Sequence, residues 1–138
     1  MNIFLERGQI NEIKIKTGDG KWSDTTENVW ITVCDGSGLC CRTDLNPDGK
    51  KLKKGAVDTF SGSKVLGKCS SVKLAGPLTA VVSKKKDDGW FVDWAEIELY
   101  NNKYAKKGTT FKCSFGKWID SAKGYCLALE ADCVQTGY

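Results

Sequence analysis

Short runs of β-branched and aromatic residues recur along this chain, and each is closed within a few positions by residues that turn a backbone. Residues 12–16 alternate charged and apolar side chains, Val29-Trp30-Ile31-Thr32-Val33-Cys34 is β-branched and aromatic, and Thr79-Ala80-Val81-Val82-Ser83 and residues 95–100 continue the theme. Alternation with period two is the mark of a strand that buries one face. Between the runs, Asp35-Gly36-Ser37-Gly38, Asn46-Pro47-Asp48-Gly49, Ser61-Gly62-Ser63 and Asp87-Asp88-Gly89 supply the positive-φ or pre-bent residues of tight turns. About eight strands fit. No segment is a convincing amphipathic helix. The longest candidate, residues 122–131, is interrupted by Gly124 and carries β-formers early, leaving room for one helical turn. Strands at short, turn-marked intervals without helices between them predict an all-β, antiparallel β-sandwich. At 138 residues the chain reads as a single domain, 1–138, large enough to bury a core.

Composition removes several functions. The net charge of +4 arises from 21 basic and 17 acidic residues, too mixed for the sustained basic face of a nucleic-acid binder, so no nucleic acid is expected as a partner. The apolar runs are too short for a membrane-spanning helix, which needs about 20 residues. With no histidine, Ser-His and Cys-His catalysis and the commonest zinc ligand are excluded. Acidic residues on turns then read as cation ligands or solvated charges, and no enzymatic activity is expected. The cysteines Cys34, Cys40, Cys41, Cys69, Cys113, Cys126 and Cys133 lack a Cys-x-x-Cys pair and read as disulfide partners in an oxidising compartment, hence a secreted, extracellular protein. Seven is odd, so one thiol stays free or pairs with another chain. Residues 1–7 lack the basic start and apolar stretch of a secretory signal, as in a mature form, and no Asn-x-Ser/Thr site occurs.

Several pieces occur in an order that resembles a known family. Ile13-Lys14-Ile15-Lys16 enters Thr17-Gly18-Asp19; Asp24-Thr25-Thr26-Glu27-Asn28-Val29-Trp30-Ile31-Thr32-Val33 follows, then Lys53-Lys54-Gly55-Ala56-Val57-Asp58-Thr59-Phe60. The strongest is Gly89-Trp90-Phe91-Val92-Asp93-Trp94-Ala95-Glu96-Ile97-Glu98-Leu99, with Phe111-Lys112-Cys113 and Trp118-Ile119-Asp120 as a closing element. Over roughly residues 10–120 the chain resembles the PLAT or LH2 family, the β-sandwich of lipoxygenases, of the C-terminus of pancreatic-type lipases and of polycystins. The extra cysteines and residues 121–138, a cysteine-containing extension, depart from the pattern. The resemblance implies two four-stranded sheets face to face. It also implies loops at one end that in several members bind calcium and touch membranes or proteins, and a targeting role without catalysis.

Two acidic, tryptophan-bearing turns, residues 17–24 and 87–94, are the candidate site. Asp19, Asp24, Asp87 and Asp88, with the carbonyls of Gly18 or Gly20, are the oxygen donors a calcium ion takes, and in the sandwich they are expected at one end. Asp44, Asn46 and Asp48 offer oxygens on a third turn. The competing reading has these aspartates building turns, neutralised by Lys21 and by Lys84, Lys85 and Lys86. Strand phase turns Trp90, Val92, Ala95, Ile97 and Leu99 inward, with a bulge between Val92 and Ala95, and puts Trp94 on the opposite face. By its place in the family pattern Trp118 belongs to the core. Trp22 and Trp94, with Lys84, Lys85 and Lys86, are then the expected contacts for an anionic lipid or membrane surface, or for a protein partner. The lysines at 50–54 read as a solvated face. The adjacent Cys40 and Cys41 tend to diverge and so seek separate partners; one of them is expected to join Cys34 or Cys69, and Cys113 to join Cys126 or Cys133. The resulting expectation is a secreted, calcium-binding interaction module. The alternatives are an extracellular carbohydrate- or protein-recognition component of structural, defence or venom type, and the accessory domain of a lipase-like or lipoxygenase-like enzyme.

Overall fold

The computed structural model describes residues 7–85, 89–100, 108–120 and 128–137. Its strands are β1 (Gln9–Thr17), β2 (Val29–Asp35), β3 (Cys40–Asp44), β4 (Val57–Ser61), β5 (Leu78–Lys84), β6 (Trp90–Tyr100), β7 (Thr109–Ile119) and β8 (Ala128–Gly137). One helical turn, α1 (Ser63–Leu66), runs into a 3₁₀ turn at Gly67–Ser70 between β4 and β5. The strands pair antiparallel in the order β3-β2-β5-β8-β7-β6-β1-β4. The all-β, antiparallel expectation therefore holds.

β8 explains how a continuous ladder becomes a curled fold. From Ala128 to Cys133 its partners are on β5, and from Cys133 to Gly137 they are on β7. A strand that changes partners along its length turns a corner between layers. β3-β2-β5-β8 and β7-β6-β1-β4 thereby send their inward side chains into one core, where Ile13, Ile15, Ile31, Val33, Val82, Trp90 and Ile97 are fully buried. Each large aliphatic removed from water contributes about 1.5–3 kcal/mol against chain entropy. Residues 128–131, counted above in a stretch with room for helix, are strand, because Leu129 and Ala131 pack on the core while pairing β5.

The ladder's two edges are β3 and β4, and α1 with its 3₁₀ turn packs against both. Thr43 Oγ1 donates to the Leu66 carbonyl at 3.4 Å, and Leu66, Cys69 and Leu74 are buried beneath. Packing a helical turn on an edge strand is one way to limit its pairing with other chains. The turn expected at Ser61-Gly62-Ser63 continues into this helical segment, which the sequence pattern did not foresee; positive φ at Gly62 and Gly67 brackets it.

Three disulfides form among the described residues: Cys34–Cys40, Cys41–Cys69 and Cys113–Cys133. Adjacent Cys40 and Cys41 diverge because successive strand residues face opposite ways, so Cys40 bridges across the β2–β3 hairpin and Cys41 reaches inward to the 3₁₀ turn. Cys113–Cys133 fastens β8 to β7 at the position where β8 changes partner. Cys126 lies outside the described residues.

The chain directions place the loops. β1 finishes, β2 begins, β3 finishes, β4 begins, β6 begins and β7 finishes at one end, so loops 18–28 and 45–56 share that end with Gly89 and Asp120. The 36–39 turn and the 62–77 segment lie at the opposite end, where Gly8 bridges Leu74.

Candidate functional site

The first loop is stitched to the head of β6. Gly18 N–H donates to the Phe91 carbonyl at 2.9 Å, and Phe91 N–H donates to the Ser23 carbonyl at 3.1 Å. Glycine is required at 18 because a Cβ there would lie 2.5 Å from the Phe91 ring. Below the bracket, the Trp90 indole N–H donates to Thr17 Oγ1 at 3.0 Å, both groups buried. The second loop joins the same assembly. Gly55 N–H donates to the Gly18 carbonyl at 2.9 Å, Thr17 N–H to the Ala56 carbonyl at 3.1 Å, and Thr25 and Leu52 exchange a pair of backbone hydrogen bonds. Loop 18–28 and the head of β6 thus meet at one end, as expected for the turns at 17–24 and 87–94 so far as the latter is described, and loop 45–56, given no place beforehand, joins them.

The rim's polar groups are largely committed to one another. Asn46 Oδ1 accepts from Val29 N–H at 2.9 Å and its amide donates to the Glu27 carbonyl at 2.7 Å. Asp44 Oδ1 accepts from Asn28 Nδ2 at 2.7 Å, and Asp48 Oδ1 from Lys50 N–H at 3.2 Å. Among the proposed metal donors, Asp19 Oδ1 lies 3.0 Å from Lys16 Nζ, which also donates to the Gly55 carbonyl at 2.9 Å. Asp24 Oδ2 lies 3.2 Å from Lys51 Nζ. The Gly18 and Gly20 carbonyls accept from Gly55 and Ser23 N–H. Asp87, Asp88 and Lys86 are outside the described residues. Among the described residues no three His, Cys, Asp or Glu side chains gather closely enough to hold a metal ion. The lysines that meet Asp19 and Asp24 are thus Lys16 and Lys51, where the sequence pointed to Lys21 and residues 84–86.

Two expected placements are corrected. Lys84 is 1% exposed, because Leu78, Ala80, Val82 and Lys84 share the inward phase of β5; it is no surface contact, whereas Lys85 is exposed. Trp118, expected in the core, is 45% exposed: Phe111, Cys113, Phe115 and Ile119 take the inward positions of β7 and leave 118 facing out. Its ring meets Phe91 edge-on at 5.4 Å and lies over Gly89, so it belongs to the rim. Counting by twos from Cys113 would have found it. Trp22 is 74% exposed, at φ 68°, with Lys21 Nζ 5.5 Å from its ring centroid. Trp90 and the bulge are as expected, the register shifting between Val92 and Trp94. Trp94 faces away from the core as expected, but it is half-buried on the outer sheet face opposite Lys16, with Lys112 Nζ 4.9 Å from its ring. The tips therefore carry Trp22 and Trp118, and Trp94 stands below them.

No family model matches the chain. It is 30% identical over 125 residues to Lipoxygenase homology domain-containing protein 1 of Mus musculus, and equally to its Homo sapiens counterpart, covering 86% of this chain and 6% of each relative. The chain thus spans a small fraction of the length of these relatives. Among solved structures, a LOX variant crystallised anaerobically with arachidonate matches with TM-score 0.60 at 14% identity, over 88% of this chain and 16% of that one. The alpha toxin of Clostridium absonum matches with TM-score 0.61 at 14% identity, over 92% and 32%. At that identity the likeness is one of fold. With the strand order, the Gly89–Leu99 run and the similarity to proteins named for this domain, the chain belongs to the PLAT/LH2, or lipoxygenase-homology, domain family.

Proposed function

We propose that this chain is a non-enzymatic, secreted interaction module that docks on anionic membrane surfaces through the rim formed by loops 18–28 and 45–56 and the head of β6. Trp22 carries the reading. A bulky residue held at positive φ with its indole 74% exposed is unfavourable locally on both counts, by about 1–2 kcal/mol for the backbone alone. Such a side chain suits a water–lipid boundary, where the ring is buried and its N–H stays wet. Trp118 adds a second indole on the same rim, and Lys21, Lys53, Lys54, Lys85 and Lys117 are exposed at the same end of the fold. A lysine near an anionic leaflet contributes about 1 kcal/mol, screened by salt. Three disulfides support an extracellular setting.

Sedimentation with phosphatidylserine-containing vesicles tests the proposal. The wild type is expected to pellet, Trp22→Ala to bind about tenfold more weakly or worse, and Trp22→Phe to fall between. A wild type that stays in the supernatant at low salt contradicts lipid docking and leaves a protein as the partner.

A further inference from the structure

Among the described residues, the oxygen donors at the rim do not fit a calcium ion, because an amine already stands among them. Lys16 leaves the outer face of β1, and its ammonium touches Asp19 Oδ1 at 3.0 Å and the Gly55 carbonyl at 2.9 Å, with the side chain only 17% exposed. One cation thus ties a carboxylate of loop 18–28 to a carbonyl of loop 45–56. Lys51 repeats the arrangement from the other side, crossing from the 45–56 loop to Asp24 at 3.2 Å. Cross-linking loops through their oxygens and cancelling their negative charge is the work a divalent ion would do here. A calcium ion needs six to eight oxygens and would have to enter beside an ammonium already at ion-pair distance from Asp19.

We infer that Lys16 is the rim's resident cation, so that docking on anionic membranes has no calcium requirement. This inference rests on the proposed membrane reading, and it also makes a claim about the free protein. In the free protein the loops are ordered by Lys16 and Lys51, and calcium has no preferred complex with the folded state through Asp19 or Asp24. On the membrane the exposed lysines meet lipid phosphate and carboxylate directly, without a bridging ion.

The test has a lipid arm and a lipid-free arm. In the first, wild-type protein is sedimented with phosphatidylserine-containing vesicles in EGTA and in 1 mM calcium. Equal pelleting supports the inference; pelleting in calcium alone overturns it while leaving membrane docking intact; pelleting in neither overturns docking and, with it, the claim of calcium-free docking. In the second, the melting temperature is measured in EGTA and in 1 mM calcium. No change is expected, and a rise of several degrees overturns the inference whatever the vesicles show, since a ligand that binds the folded state must raise it. Lys16→Met keeps the stem and removes the ammonium. Amide exchange at Gly18 and Gly55 is then expected to accelerate about tenfold while Asp35 and its turn stay protected. Unchanged exchange at both glycines overturns the clamp.

Discussion

Trp90→Ala is expected to cost about 3–5 kcal/mol of stability, read as a lowered urea midpoint with an unchanged slope. The ring is wholly buried at the start of β6, opposite Ile119 of β7, within the core that both strand groups share. Removing it takes away the largest fully buried side chain among the described residues and leaves a cavity in the shared core. It also strands the Thr17 hydroxyl, buried and bonded to the indole N–H at 3.0 Å. Trp90→Phe separates the two contributions. It keeps most of the apolar contact and loses the donor, so about 1–3 kcal/mol is expected. Because Thr17 and Trp90 lie directly beneath Gly18 and Phe91, the loss falls on the support of the rim.

The second large effect is at the opposite end. Asp35 Oδ1 accepts from Ser37 N–H at 2.9 Å, Ser37 Oγ at 2.6 Å and Leu39 N–H at 3.1 Å; Oδ2 accepts from Ala75 N–H at 3.2 Å and lies 3.6 Å from Arg7. Burial pushes the carboxyl's pKa up, but these hydrogen bonds outweigh it and hold the pKa below the ordinary 3.8. A group whose folded pKa is depressed contributes stability that is fully present above its unfolded value and lost as pH falls through the folded one. Asp35→Asn puts an amide N–H₂ where Oδ2 accepted, facing the Ala75 N–H and Arg7, or, flipped, facing Ser37 and Leu39. A loss of about 2–4 kcal/mol is expected at neutral pH. The difference from wild type should hold down to about pH 4 and shrink below it as Asp35 takes up its proton. A gap constant down to pH 2 contradicts the assignment.

Much of this fold was readable because strand phase and burial agree. The inward set Trp90, Val92, Ala95, Ile97 and Leu99 is one example, the bulge after Val92 another, and the divergence of Cys40 from Cys41 a third. The misses came where another signal was weighed above phase. Lys84 looked like surface because it is charged, yet alternation from Leu78 turns it inward; Trp118 was placed in the core by its position in the family pattern, yet alternation from Cys113 turns it outward. The partners of Asp19 and Asp24 were not readable by nearness in sequence. Lys51 reaches Asp24 only through the Thr25–Leu52 bridge, and Lys16 is aimed by the turn at Gly55. That turn 18–24 would share an end with the head of β6 followed from the sandwich topology, whereas the place of loop 45–56 beside them came only with the strand pairing.

Hydrogen–deuterium exchange with and without phosphatidylserine-containing vesicles asks most directly whether loops from distant parts of the chain act as one docking rim. Protection on the membrane is expected together in residues 18–24, 53–56, 89–91 and 117–120, with residues 36–39 and 62–77 unchanged, because the first group shares one end of the fold and the second lies at the other. Protection confined to 36–39 and 62–77, or spread over the outer faces of the strands with the Trp22 loop left exchanging freely, would contradict it.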